Sequence, residues 1–131
     1  MRVLLVLDHP RTLASAGNVP HRRGFAAAVA AAAVRGATAA GHEVDVTGLA
    51  SDGFSPAMTR EDPVARRQGA VVDPLVDDHQ RRLPAADHLV FAFPVWWEAM
   101  PAATKGFLDR VLAEGVVFAE RPGAGGTRST T

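Results

Sequence analysis

The first strand-like segment, residues 3–7, consists of five aliphatic side chains in a row, Val-Leu-Leu-Val-Leu. A continuous apolar run, without polar alternation, is typical of a parallel strand that is buried on both faces. Parallel strands are joined by crossover segments, which are usually helices. This run therefore favours an α/β domain in which helices cover both faces of a central sheet.

The remaining segments alternate in the way that such a domain requires. The pattern predicts strands at 3–7, 43–47 and 87–93, and helices at 25–40, 71–83 and 102–112. Gly41 is predicted to cap the first helix, and the Gly-, Pro- and Ser-rich residues 50–70 to form a long loop. The β-α-β-α-β-α order, with right-handed crossovers, predicts a doubly wound parallel sheet of strand order 2-1-3.

This topology brings the segments after the first and third strands together at one edge of the sheet. Open α/β sheets bind their ligands there, beyond the carboxyl ends of the strands. The segment after the third strand holds both tryptophans of the chain, Trp96 and Trp97, between Pro94 and Pro101. Prolines restrict the conformations of such a segment, and the aromatic pair indicates a flat ligand.

Composition narrows the possible functions. The chain has 131 residues, enough for one domain, and no cysteine, so thiolate catalysis and disulfides are excluded. The 14 basic and 14 acidic side chains balance, which gives no electrostatic signature of nucleic-acid or membrane binding. The apolar residues 25–34 are too few to span a bilayer, and the N-terminus is not a signal peptide. For these two reasons we expect a cytoplasmic protein. The histidines lack metal-ligand spacing, so we expect no metal site.

Four sequence blocks, in order along nearly the whole chain, carry a more specific resemblance. They are His9-Pro10 after the first strand, Gly41-His42-Glu43-Val44, Asp52-Gly53-Phe54-Ser55-Pro56, and the block Phe-Pro-Val-Trp-Trp to Lys-Gly-Phe-Leu-Asp-Arg over 93–110. Together they resemble the flavodoxin-like NAD(P)H:quinone oxidoreductase family. The last block is the most specific, whereas the Gly-His-Glu-Val match alone is weak.

The resemblance implies an enzyme that uses FMN or FAD to pass two electrons from NAD(P)H, by hydride transfer, to a quinone or nitro-aromatic acceptor. It implies that Pro94, Val95, Trp96 and Trp97 lie against the isoalloxazine ring, with backbone amides of 95–97 as possible donors. His9 and groups near Ser15 and Asn18 would hold the flavin phosphate. No acid, base or nucleophile of the chain is required for hydride transfer, and members of the family form homodimers.

The C-terminal part departs from this pattern. Family members continue with a fourth strand, a loop that completes the flavin site, a helix and a fifth strand, whereas residues 121–131 here are polar and lack apolar periodicity. We therefore expect an incomplete flavodoxin-like domain over 1–120, missing the last two strands, followed by a polar tail. The third strand would then have a partner on one side only, and whether the chain is active alone stays open.

Other interpretations remain possible at this point. One alternative is a non-catalytic flavodoxin-like binding or regulatory subunit, and another is a phospho-acceptor domain that uses Asp8. The two tryptophans would then be core or dimer-interface residues. Glu98 faces either the ligand or solvent, and no role is assigned to His79. Arg66 and Arg67 are expected to be solvated charges.

Overall fold

The computed structural model describes residues 1–10, 24–113 and 115–117. The strands are β1 (Arg2–Leu7), β2 (Glu43–Gly48) and β3 (His88–Ala92). The helices are α1 (Phe25–Ala39), α2 (Glu61–Arg67), α3 (Pro74–Arg82) and α4 (Ala102–Val111), with a 3-10 turn at Leu83–Ala85. The predicted domain boundary at 120 lies outside the described residues and stays a prediction.

The sheet has the predicted topology. The three strands are parallel and lie in the order β2-β1-β3, and Val3 pairs with Val44 on one side and with His88 on the other. The aliphatic run of β1 is therefore central, which explains why it carries no polar residue. Among the described residues, β3 pairs with β1 alone.

Successive side chains of β1 point to opposite faces, so the strand contributes to two cores. Leu4 and Val6 pack with Phe107 of α4 and with residues of α3 and of the β2–α2 connection. On the other face, Leu5 and Leu7 pack with α1. Each face of the central strand is thus covered by helices, the arrangement expected of a parallel sheet.

Helix α1 uses small side chains to approach the sheet closely. Ala27 and Ala30 are fully buried against it, and alanine has the highest helix propensity. The helix ends at Ala39, and its C-cap is Ala40 where Gly41 was predicted. Gly41 follows with a φ of +84°, the left-handed conformation that glycine adopts without strain. The amide of Gly41 donates to the carbonyl of Thr38, and thereby satisfies a terminal acceptor of the helix.

The prediction of a long loop over 50–70 is wrong at its C-terminal half, because helix α2 lies within it. The helix has no buried residue, so it gives no apolar periodicity that sequence reasoning could detect. Acidic Glu61 and Asp62 occupy its first turn and basic Arg66 and Arg67 its last, which matches the helix dipole. Charge order and tertiary contacts stabilise this helix in place of a hydrophobic stripe.

Other element boundaries differ from the prediction by one to three residues. Helix α3 begins at Pro74, three residues later than predicted, because the Asp73 carboxylate accepts a hydrogen bond from the Leu75 amide at 2.9 Å and so caps the helix. Strand β3 is one residue shorter at each end, and α4 ends at Val111. Within the described ranges, no helix is long and apolar enough to cross a membrane.

Candidate functional site

The segments after β1 and β3 start side by side. The amide of Asp8 donates to the carbonyl of Ala92 at 2.9 Å, which joins the carboxyl ends of the two strands. His9 therefore begins one segment directly beside the segment that starts with Phe93. We call residues 93–101, between β3 and α4, the Trp loop. The two segments therefore start together at one end of the sheet, as predicted, and residues 11–23 of the first lie outside the described residues.

His9 lies at the N-terminus of α1. Its ring is so close to Gly24, the residue that precedes this helix, that a Cβ added to Gly24 would lie 2.7 Å from His9 Cε1. The first turn of α1 holds no acidic side chain, and within the described part of the chain its N-cap residue, Gly24, receives no side-chain cap. Exposed amides at a helix N-terminus favour an anion such as phosphate. His9 thus lies beside the N-terminus of α1, and its predicted contact with a phosphate stays a prediction.

The Trp loop contains a tight turn. Trp96 and Ala99 exchange two backbone hydrogen bonds of 2.9 and 3.0 Å, and the residues between them, Trp97 and Glu98, have φ values of +51° and +62°. Positive φ at both central residues is the mark of a type I′ turn, which Asn and Gly normally occupy. Two bulky residues in this conformation store strain, and such strain concentrates at functional sites.

The turn presents its aromatic side chains to solvent. Trp96 is 59% exposed and Trp97 is 100% exposed, and the preceding Val95 is 66% exposed. The interpretation of these tryptophans as core residues is therefore wrong for the described chain. Glu98 is exposed as well. A cluster of exposed large apolar side chains at the end of a sheet indicates a binding surface.

The turn removes one of the backbone amides that were expected to donate to a ligand. The amide of Trp96 donates to Ala99 within the protein, so it is not an available donor to a bound ring. The amides of Val95 and Trp97 are the candidate donors that remain. Ser15 and Asn18, the other predicted phosphate-site residues, lie outside the described residues, and their roles stay predictions.

The sequence did not reveal the structural role of Asp8 in this site. Its carboxylate accepts hydrogen bonds from the amide of Thr104 at 2.8 Å and from the hydroxyl of Thr104 at 2.6 Å. Both side chains are buried. The carboxylate is thus engaged at the N-terminus of α4 and is not presented as a phospho-acceptor. Its position after an apolar strand was the only sequence signal.

Arg110 connects two of the motif blocks. Its side chain is only 3% exposed and forms ion pairs with Asp62 and Asp73, both at 3.0 Å. It also donates to the carbonyl of Ser55 at 2.8 Å. The Asp-Arg end of the last block therefore holds the Gly-Phe-Ser-Pro segment against α4. Burial alone would raise the pKa of Asp62, but hydrogen bonds from Arg110 and Thr59 keep that pKa below its usual value.

Two further side chains depart from their sequence interpretations. Arg66 is not simply solvated, because it donates to the carbonyls of Asp109 and Arg110 at the end of α4. His79 is a core residue, with its ring centroid 5.3 Å from that of Phe107 and 5.8 Å from that of Phe54. Desolvation lowers the pKa of His79. Among the described residues, no cluster of three or more His, Asp or Glu side chains could hold a metal ion.

Comparison with known proteins agrees with this geometry. A family model of the flavodoxin-like fold matches residues 1–130. The NAD(P)H dehydrogenase (quinone) 1 of Rattus norvegicus is 31% identical over 89% of this chain and 45% of its own length. An uncharacterized NAD(P)H oxidoreductase of Haemophilus influenzae is 27% identical over 90% of this chain and 54% of its own.

A solved structure gives the same picture. The NAD(P)H:quinone oxidoreductase from Methanothermobacter marburgensis superposes with a TM-score of 0.72 and 28% identity, over 86% of this chain and 54% of that chain. This chain spans about half the length of the relatives it matches. These names confirm the resemblance seen in the motifs, and the strand order confirms the fold class. The chain belongs to the family of proteins with the flavodoxin-like fold.

Proposed function

We propose that this protein binds FMN or FAD and, with NAD(P)H as electron donor, reduces a quinone or a nitro-aromatic compound. One observation carries the proposal. His9, at the start of α1, and the exposed Trp96-Trp97 turn follow two strands whose ends are joined by the Asp8–Ala92 hydrogen bond. A flavin needs both features, a place for its phosphate and a flat apolar surface for its ring. The names of the similar proteins support the same class of reaction.

The described residues fit such a cofactor. Pro94 and Val95 lead into the turn, and the indole rings of Trp96 and Trp97 are accessible for stacking. His9 and the first amides of α1 suit a phosphate, and the proposed roles of Ser15 and Asn18 extend that site. When bound, the flavin itself would supply the redox chemistry, accepting a hydride and passing on two electrons.

In this proposal the residues of the chain bind and orient. The tight turn restricts the backbone of both tryptophans, so less conformational freedom is lost when a ring stacks on them. His9 fixes the phosphate end, and no side chain is assigned a proton transfer. Glu98 is exposed beside Trp97 and adds negative charge near the approaching acceptor.

The proposal includes a homodimer in the cytoplasm, where NAD(P)H is available. An apolar groove of about 230 Å³ between α1 and β3 is lined by Phe25, Val29, Val90 and Phe93, among others. Phe25 is 85% exposed, and large exposed apolar patches commonly mark association surfaces. Size-exclusion chromatography with light scattering would measure the mass. A monomer at all concentrations would contradict the dimer.

The flavin proposal is tested by mixing the purified chain with FMN or FAD, removing unbound flavin by gel filtration, and recording absorbance. We expect a retained flavin spectrum that bleaches when NAD(P)H is added without oxygen and returns when quinone is added. Binding is measured separately through tryptophan fluorescence. Since the chain has two tryptophans and no tyrosine, quenching by flavin reports on the Trp loop directly.

Three outcomes separate the candidate functions. Retained flavin that bleaches supports the enzyme. Retained flavin that NAD(P)H does not bleach supports binding without turnover. Failure to retain either flavin, with tryptophan fluorescence unchanged by both, contradicts the proposal and leaves the non-catalytic binding subunit.

A further inference from the structure

Asp8 contacts the protein on both sides of the Trp loop. Its amide donates to the carbonyl of Ala92, the residue that ends β3 directly before the loop. Its carboxylate accepts from the amide and hydroxyl of Thr104, in the first turn of the helix that follows the loop. A single residue therefore fixes both the entry and the exit of this segment.

The carboxylate contact is buried and specific. Asp8 is 7% exposed and Thr104 is 1% exposed, so solvent does not replace these hydrogen bonds when one partner is removed. The contact also places an acceptor at the N-terminus of α4, where the helix dipole favours negative charge. Asp8 and Thr104 are 96 residues apart in the chain, and their contact therefore orders α4 relative to the end of β1.

We propose that Asp8 is a positioning residue for the flavin site, acting through Thr104 and the Trp loop. Because His9 is the next residue, Asp8 sets the placement of the phosphate end and of the ring end together. When the contact is lost, the exit of the loop moves relative to His9, and Trp96 and Trp97 lose their common placement. The inference rests on the proposed flavin site, but the ordering of the loop is measurable without flavin.

The main variant is Thr104→Val. It removes the hydroxyl, keeps the hydrogen bond from the backbone amide of residue 104 to Asp8, and preserves the volume of the side chain. Thr47→Val is the matched control, since Thr47 is equally buried, lies on β2, and its hydroxyl has no partner among the described residues. Thr104→Ser restores the hydroxyl and is the rescue variant. The first readout is the fluorescence anisotropy decay of the two tryptophans and their quenching by acrylamide, without flavin.

We expect Thr104→Val to give a faster anisotropy decay and stronger quenching than Thr47→Val, with Thr104→Ser close to wild type. The second readout is the Kd for FMN, which should rise about tenfold in Thr104→Val, because binding must then also restore the placement of the loop. Identical fluorescence in Thr104→Val and Thr47→Val would overturn the inference. If the wild-type chain binds no FMN, the proposed function fails, and the fluorescence comparison still decides whether Asp8 orders the loop.

Should Thr104→Val not fold, Asp8→Asn provides the same comparison. Asparagine has the shape of aspartate and keeps one acceptor oxygen, but loses the charge. We then expect an intermediate change in the anisotropy decay and a smaller rise in the Kd for FMN. A folded Asp8→Asn variant with wild-type fluorescence and wild-type affinity would contradict a positioning role of the carboxylate.

Discussion

Pro56 lies directly against the backbone of Gly106. A Cβ added to Gly106 would lie 2.3 Å from the Cα and 2.5 Å from the carbonyl oxygen of Pro56. Gly106 is in the interior of α4, where glycine costs about 1 kcal/mol relative to alanine. That cost is offset because only glycine lets the connection between β2 and α2, which contains Pro56, approach α4 so closely.

The first prediction concerns this contact. Gly106→Ala should lower the free energy of unfolding by about 1–3 kcal/mol, because the added methyl group would overpack against Pro56. This loss exceeds the gain from the higher helix propensity of alanine. Urea denaturation followed by circular dichroism measures the change. Gly36→Ala is the control, since Gly36 is also inside a helix but has nothing within 4 Å of an added Cβ. It should raise stability by about 0.5–1 kcal/mol; equal effects in both variants would contradict the steric explanation.

The second prediction concerns Arg110. Arg110→Met should lower the free energy of unfolding by about 3 kcal/mol, because Asp62 and Asp73 would keep their charges without a buried partner. The same denaturation experiment measures it. Arg81→Met removes an exposed ion pair with Asp77 and should change stability by less than about 1 kcal/mol. If both variants lose the same amount, the buried ion pairs do not hold the β2–α2 segment.

The third prediction is a dependence of stability on pH. Desolvation, with a contribution from Arg82, holds the pKa of His79 below its ordinary value of 6.5, while Asp78, Asp52 and Asp73 act in the opposite direction. Between the lowered pKa and 6.5 the unfolded chain binds more protons than the folded chain. The contribution of His79 to the free energy of unfolding is therefore fully present above pH 6.5. It is lost as the pH decreases towards the lowered pKa, by at most about 1.4 kcal/mol per pH unit for one proton.

The measurement for His79 is thermal unfolding at several pH values between 8 and 5. His79→Phe keeps an aromatic ring between Phe54 and Phe107 and has no titrating nitrogen, so its melting temperature should not show this decline. His88, which is exposed to solvent at the start of β3, provides the control variant His88→Phe, and the decline should persist in it. A decline that survives in His79→Phe would assign it to other groups.

The fourth prediction concerns the strained turn. Glu98→Gly should raise the free energy of unfolding by about 0.5–1 kcal/mol, because relief of the left-handed conformation exceeds the added chain entropy. Ala99→Gly, at the neighbouring position without a positive φ, has only the entropic cost and should lower stability by about 0.5 kcal/mol. Chemical denaturation compares the two. A loss of stability in both would show that Glu98 is not strained in solution.

The fifth prediction separates binding from stability at Trp97. Because this side chain is fully exposed, Trp97→Ala should change the free energy of unfolding by less than about 0.5 kcal/mol. Its Kd for FMN should rise about tenfold, since a stacking surface is lost. Val64→Ala, an exposed apolar position on α2, should leave both quantities unchanged. An unaltered Kd in Trp97→Ala would remove this residue from the proposed site.

Local pattern alone determined a large part of this protein. The aliphatic run at 3–7 required a central parallel strand, and the order of segments then allowed only the arrangement 2-1-3, which is what β1, β2 and β3 form. The same topology placed the tryptophans at the edge of the sheet beside His9. These features follow from hydrophobic periodicity and chain connectivity, both of which can be read residue by residue.

Tertiary structure decided the features that depend on partners distant in sequence. Helix α2 has no buried residue, so no periodicity marks it. Whether a charged side chain is buried depends on which opposite charges the fold brings to it, as Asp62 and Asp73 are brought to Arg110. For the same reason the sequence could not connect Asp8 with Thr104, since a hydrogen bond across 96 residues exists only after the sheet has placed both ends together.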